Sequence, residues 1–366
     1  MSKSKQSGPL AGLKVLEFAG MGPAPFSGML LSDLGADVVR IDRAQGPDYL
    51  PEDVESRGRH SIVLDLKNPD DLATAKALAG KADILIEGFR PGVMERLGLG
   101  PKQIHKTNPK LIYGRITGWG QTGPLAQKAG HDINYLSLTG ALHAMGTKEK
   151  PAIPLNLIAD FGGGSLYLIM GILAALHHAR NTGEGQVIDA AMTDGVISLM
   201  NMIYGDFNAG SWKDERESNV IDGAAPFYNV YRCADDKWIS LACIEPQFYR
   251  AFIDNTELEQ SAFENQWQRE DWPAQKTILE SMFLKKTREQ WIEHFEKHDV
   301  CIAPVLNLQE AQNHPHNINR HSFQTIDGIS QANAMPRMNQ NTPATAFGVR
   351  KKNADRAEII SRWEIE

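Results

Sequence analysis

Leu13-Lys14-Val15-Leu16-Glu17-Phe18, a helical stretch from Phe26 to Leu34 closed by Gly35, and Asp37-Val38-Val39-Arg40-Ile41-Asp42 open the chain as strand, helix and strand. Working outward, the pattern repeats. Ile62-Val63-Leu64-Asp65-Leu66 reads as a third strand, and Asp70 to Leu78 as a helix capped by Asp70 or Asp71. Ile84-Leu85-Ile86-Glu87 and Leu111-Ile112-Tyr113-Gly114-Arg115-Ile116 read as a fourth and a fifth strand. Strands spaced by helices predict an α/β fold, with a parallel Rossmann-like sheet and helices on both faces. Gly163 to Arg180 is apolar nearly all round, which predicts a central, buried helix. Gln186 to Ala190 enters another strand, and a helix follows from about Ala191 to Tyr204.

The pattern then changes. Phe227 to Arg232 and Trp238 to Cys243 alternate like the arms of a hairpin. Helical patterns follow at Phe248 to Asp254, Trp272 to Leu284 and Arg288 to Lys297. The expected division is a large α/β domain over 1–225, a small α+β domain over 226–315, and a segment over 316–366 returning to the large domain. From about Ser322 the tail is polar, with little periodicity.

Composition excludes several classes. The chain has 366 residues, 42% of them hydrophobic and 23% charged, with a net charge of −7. That balance argues against nucleic acid as a partner. It leaves room for an anionic small ligand, because a local cluster of Arg and Lys can outweigh the global sign. The three cysteines, Cys233, Cys243 and Cys301, cannot all pair, which fits a reduced, cytoplasmic protein. Met1 to Gly8 carries positive charge with no apolar run behind it and reads as a frayed end, not a signal peptide. The most apolar stretch, Leu166 to Leu176, is shorter than the ~20 residues of a membrane span, so no membrane partner is expected. The terminal Trp363-Glu364-Ile365-Glu366 is no peroxisomal address.

Gly118-Trp119-Gly120-Gln121-Thr122-Gly123 is a literal G-x-G-x-x-G after a strand. A dinucleotide fingerprint needs a helix at once and an acidic residue about 20 residues on. Pro124 and His143 stand in those places, so a glycine turn shaping a ligand cleft is the better reading. Arg40, Asp42 and Arg43 close the second strand, and Arg90 follows the fourth. Ligands of open α/β sheets bind outside the carboxyl ends of strands, where paired arginines hold phosphates.

Two segments carry candidate acid–base chemistry. Gly130-His131-Asp132-Ile133-Asn134-Tyr135 offers an imidazole; Asp132 either fixes its tautomer or caps the next helix. Asn156-Leu157-Ile158-Ala159-Asp160-Phe161-Gly162-Gly163-Gly164 offers a carboxylate, read either as a helix cap or as a proton carrier beside N–H groups that hold an enolate oxygen. Glu245, after the hairpin, either caps its own helix or orients an imidazole. Met192 and Leu199 fit an acyl pocket or plain core packing. His177-His178 and the His314/His316 pair lack metal spacing, so no metal is expected.

Together these stretches resemble the family III CoA-transferase superfamily. The resemblance rests on Gly20 to Phe26, Asp33-Leu34-Gly35-Ala36-Asp37-Val38-Val39-Arg40, Leu64-Asp65-Leu66-Lys67 and Gly88-Phe89-Arg90-Pro91-Gly92-Val93. It continues through Gly118 to Pro124, the His131 and Asp160 segments, Gly185 to Ala190, Ile244-Glu245-Pro246-Gln247-Phe248-Tyr249 and Ala303-Pro304-Val305-Leu306. The Gly130 to Tyr135 segment is most similar to that of the superfamily's racemases of 2-methylacyl-CoA thioesters. The resemblance implies His131 and Asp160 as catalytic residues with Glu245 in support. It implies CoA contacts at Arg43, Leu64, Asp65, Leu66, Lys67, Arg90, Gly130, Asp132 and Tyr135. It also implies an interlocked homodimer, an acyl-CoA substrate and no separate cofactor. The alternatives are a CoA-transferase with Asp160 as nucleophile and a non-catalytic acyl-CoA binder.

Overall fold

The structure is a computed structural model that describes residues 8–365. The readings of Met1 to Ser7 and of Glu366 lie outside the described residues. By contact density the chain forms two compact units. The first comprises residues up to Thr139, Pro154–Met200 and those from Asn319 on; the second comprises Gly140–Ile153 and Asn201–Ile318. This differs from the expected cuts, because 140–153 and 201–225 belong with the second unit. Arg216 is one reason: its guanidinium donates to the carbonyls of His143, Thr147 and Lys148.

The first unit holds a six-stranded parallel sheet. Its strands are β1 Lys14–Phe18, β2 Asp37–Asp42, β3 Arg59–Val63, β4 Ile84–Glu87, β5 Ile112–Thr117 and β6 Val187–Ala191. They run in the order β3-β2-β1-β4-β5-β6. The order reverses between β1 and β4, and ligands of such sheets bind at that crevice. β2 and β4 are buried at every position, which is why they read as unbroken apolar runs. β3 starts three residues before its predicted Ile62. Val38 pairs with Arg59, whose guanidinium is buried against Glu17; an apolar-run criterion misses a charge inside a sheet. The Pro69–Lys81 helix is capped by Asn68, whose Oδ1 accepts from the N–H groups of Asp70 and Asp71 at 2.8 and 3.2 Å. The predicted caps are thus the groups being capped.

The expected helix at Gly163 begins earlier, as a π-helical segment, Leu157–Ser165, that runs into the α-helix Leu166–Thr182. It is not buried all round. Leu168, Ile169, Ile172, Ala175 and Leu176 face inward, while Leu166, Met170 and Leu173 are 53%, 60% and 40% exposed. The combined run of 26 residues is long and apolar enough to cross a membrane by length and composition, so the shortness of Leu166–Leu176 does not exclude a span. The run packs on the helix Met192–Leu199, where a Cβ on Gly195 would sit 1.9 Å from the Gly163 carbonyl oxygen. The predicted 191–204 helix is broken into Met192–Leu199 and Asn201–Asn208.

The tail is more regular than its sequence suggests. β10 Phe323–Ile326 and β11 Ile329–Ala332 form a hairpin about Asp327-Gly328, with φ of 50° and 81°. Asp-Gly is a strong hairpin signal, and here it folds within an otherwise polar tail. The segment returns to the first unit. The Trp363 indole donates to Asp37 at 2.9 Å, and Asp355 accepts from the Ser61 N–H at 2.9 Å. Ligand atoms of His60, Asp355 and Glu358 also gather within 4.8 Å of one another. A guanidinium serves that group, since Arg362 bonds both His60 Nε2 and Glu358.

The second unit is α+β. β7 Tyr228–Arg232, β8 Trp238–Ala242 and β9 Ile302–Val305 form an antiparallel sheet in that order. The hairpin matches expectation. β9 was not predicted as a strand; it carries Pro304, which is tolerated because the strand lies at an edge. The helices Pro246–Asp254, Trp272–Phe283 and Arg288–Phe295 complete the unit, with Phe227, Tyr231, Phe252 and Phe283 in its core.

Candidate active site

A cleft of about 830 Å³ opens at the carboxyl ends of β1, β2, β4 and β5. The loops that follow these strands supply Gly22, Arg43, Arg90 and Trp119; His131, Tyr135 and Asp160 also line it. The structure therefore brings together the two proposed proton carriers, both arginines, Gly130 and Tyr135.

His131 precedes the Asp132–Ser137 helix in extended backbone, and its N–H donates to Asn134 Oδ1 at 3.1 Å. The imidazole stays exposed within the cleft. Tyr135 sets the loop before it: its hydroxyl donates to the Gly130 carbonyl, and its ring meets Trp119 edge-on at 4.8 Å. Gly118 is required here, since a Cβ there would lie 1.9 Å from the Tyr135 ring. The G-x-G-x-x-G stretch thus shapes the cleft by making room for an aromatic side chain.

Asp160 lies inside the π-helical segment and is not its cap. π-helical turns recur at functional sites. Gly22, at φ 69°, brings the first loop against it; a Cβ on Gly22 would be 2.9 Å from Asp160 Oδ2. The one Ser165 hydroxyl proton is shared between the Pro23 and the Asp160 carbonyls, which lie 2.8 and 3.1 Å from Oγ, and Phe26 stacks on Phe161. Burial is the main force that lifts the Asp160 carboxyl to about 6; the Asp132 carboxylate raises it further, His131 pulls it down, and Glu55 adds to the rise.

Asp132 is neither a tautomer anchor nor a cleft residue. It is buried, and Oδ2 accepts from the N–H groups of Ala159 and Asp160 at 2.9 and 2.8 Å. Those two N–H groups are therefore committed, and the expectation that N–H groups beside Asp160 hold an enolate oxygen fails for them. Of the other expected CoA contacts, none of Leu64, Asp65, Leu66 and Lys67 lines the cleft. Leu64 is buried in the core, while Asp65 and Lys67 are exposed in the turn that leads to Asn68. Arg40 turns inward, bonded to Asp42 at 2.9 Å with its guanidinium 3.9 Å above the Tyr49 ring. Glu245 belongs to the second unit. It is exposed and stands at the cap position of Pro246–Asp254, where its carbonyl accepts from the Tyr249 N–H at 3.0 Å and its carboxylate makes no capping bond, so the cap reading holds for its position and not for its side chain. Met192 lines the cleft and Leu199 does not.

Sequence reasoning missed Tyr49, Lys128 and Lys352, which also line the cleft. Lys128 lies three residues before His131, so proximity was an available signal. Nothing in the sequence places Lys352, about 300 residues from Arg43.

A Rossmann-ordered sheet with an imidazole, a raised carboxyl and several cations in one crevice defines an α/β enzyme for an anionic substrate. The chain belongs to CoA-transferase family III, which matches residues 10–352. It is 43% identical to mouse alpha-methylacyl-CoA racemase over 86% of this chain and 82% of that one. It is also 43% identical to the human protein of the same name, over 92% and 87%. A CAIB/BAIF family protein from Brucella suis has the same fold, with a TM-score of 0.83 and 26% identity over 98% of this chain and all of that one.

Proposed function

We propose that the chain racemises 2-methylacyl-CoA thioesters at C2. The observation that carries this is the presence of His131 and Asp160 in one cleft, with the Asp160 carboxyl lifted to about 6. A thioester acidifies its neighbouring C–H, because the enolate spreads charge onto oxygen. One group removes the proton from one face, and the other returns a proton to the opposite face. A carboxyl lifted towards neutrality works in either role at physiological pH. The substrate's CoA supplies the activation, so no other cofactor is invoked. The CoA phosphates are held by Arg43 and Arg90, and Gly130 and Tyr135 shape the passage to the acyl carbon. The likeness to the two racemases favours this reading over a transferase with Asp160 as nucleophile.

Deuterium wash-in tests it. Incubating one enantiomer of a 2-methylacyl-CoA in heavy water is expected to label C2 and scramble its configuration. A product that stays unlabelled and of single configuration, with CoA passed to an added carboxylate, would establish the transferase instead.

We further propose a homodimer in the cytoplasm, with neither membrane nor nucleic acid as partner. Leu166, Met170 and Leu173 recur at helical spacing on an exposed face, and contiguous apolar surface of this kind marks an interface. A second copy covers it better than lipid does, because the opposite face of the same helix is packed and the π-helical segment that runs into it holds Asp160. The carboxylate of Glu245 makes no bond to its own helix. Sedimentation equilibrium is expected to give twice the chain mass at micromolar concentration. A monomer there would remove the dimer proposal.

A further inference from the structure

Lys352 comes from the C-terminal segment, yet it lines the same cleft as Arg43 and Tyr49. Its ammonium donates to the carbonyls of Gln45 and Gly46, at 3.0 and 3.4 Å, in the loop that follows β2. An ammonium has three N–H donors, so these two bonds leave one to offer. The nitrogen lies 5.9 Å from the Tyr49 ring centroid.

The backbone around it is held without help from its side chain. The Lys352 N–H donates to Asp48 Oδ1 at 2.7 Å, and the Asn353 N–H donates to Ser61 Oγ at 2.9 Å. Asn353 Oδ1 accepts from Val63 N–H at 3.0 Å, and Asp355 accepts from Ser61 N–H. The segment is thus registered against the end of β3, and Lys352 is presented to the cleft by backbone bonds that any side chain would preserve.

Charge says what it meets. The whole chain carries −7, yet Arg43, Arg90, Lys128 and Lys352 all face this cleft. Such a local reversal of sign draws in an anion. On the proposed racemase reading, the reacting end of the substrate belongs with His131 and Asp160, and the pantetheine arm is neutral. The phosphates of the nucleotide end are the anionic groups left to meet the cations.

We infer that Lys352 is a phosphate-binding residue for the nucleotide end of the acyl-CoA, so that the C-terminal segment completes the substrate site. This inference rests on the proposed function. The test is calorimetric binding of CoA, dephospho-CoA and pantetheine to the full chain, its K352M variant and its K352R variant. K352M is expected to bind CoA about 5–20-fold more weakly, the range of one partly exposed charge-assisted bond, while K352R stays within about threefold of the original. The K352M deficit shrinks in high salt, and pantetheine binding is the same in all three proteins. A deficit for CoA alone assigns the 3′-phosphate, and a deficit for dephospho-CoA as well assigns the pyrophosphate. Equal CoA affinity in K352M and the original protein, or an equal loss with pantetheine, overturns the inference. Failure of the original protein to bind CoA at all overturns the acyl-CoA reading itself.

Discussion

Alanine at His131 is expected to slow racemisation at C2 by about 10²–10⁴-fold, the usual worth of a positioned acid–base group. Asparagine at Asp160 is expected to do the same, since on the proposed mechanism inversion at C2 uses both proton carriers. The two variants differ in stability. Burial raises the Asp160 carboxyl above its unfolded value of 3.8 to about 6. Ionisation is therefore less favourable in the folded chain. Stability falls as pH rises from about 3.8 to about 6, and the penalty is complete above that. A shift of about two pKa units corresponds to roughly 3 kcal/mol, but solvent reaches this half-buried side chain, so about 1 kcal/mol is a fair discount. D160N should thus be more stable than the original protein at pH 8 by about that amount, with the gain gone below about pH 4. Denaturant titration at the two pH values checks it; a loss of stability at pH 8 would contradict the cause assigned to the raised carboxyl.

On the proposed mechanism the same carboxyl sets the acid limb of activity. With Asp160 protonated, the enantiomer it serves has no base on its face. Lifting Asp160 brings that loss closer to neutrality. Activity should begin to fall near pH 6, not near the 3.8 of an ordinary aspartate. The fall should be shared by both enantiomers, because a racemisation equilibrium near unity ties their kcat/KM values together.

The second large effect lies beneath the cleft. Arg59 Nη1 bonds both oxygens of Glu17, at 2.5 and 2.6 Å, and both side chains are fully buried. Burial is the largest influence on each: it raises the Glu17 carboxyl and lowers the Arg59 guanidinium, while their mutual attraction opposes both shifts. Removing one partner strands the other charge. R59M is expected to cost about 3–5 kcal/mol. A chain of this length loses roughly 1–2 °C in Tm per kcal/mol, so the melting point should drop by roughly 3–10 °C. The double variant E17M/R59M should recover most of the loss, because paired apolar residues often replace a buried ion pair without cost. If R59M alone is as stable as the original protein, the pair is energetically idle.

How much of this was legible beforehand follows from the physics of each element. β1, β2, β4 and β5 were read within a residue or so, because burial on both faces writes an apolar run into the sequence. β3 was misplaced because its first residues, Arg59 and His60, are polar yet buried. The hairpin of the small sheet was visible by alternation, while its third strand, β9, pairs with β8 from about 60 residues away. At the site, His131, Asp160, Arg43, Arg90, Gly130 and Tyr135 were named from residue types in glycine-bearing loops and from family resemblance, and the cleft gathers them. Asp132 was misassigned because its partners, the N–H groups of Ala159 and Asp160, lie 27 and 28 residues away and carry no side-chain signal.

By itself the amino-acid order determined the parallel sheet, the inventory of acid–base groups and the family pattern, since periodicity and residue chemistry are local properties. Tertiary structure alone decided which of those groups share a cleft. It sent Asp132 inward, left Leu64 in the core, and swung Lys352 across from the far end of the chain. Convergence of side chains distant in sequence depends on packing and long-range hydrogen bonds, and no short window of sequence encodes those.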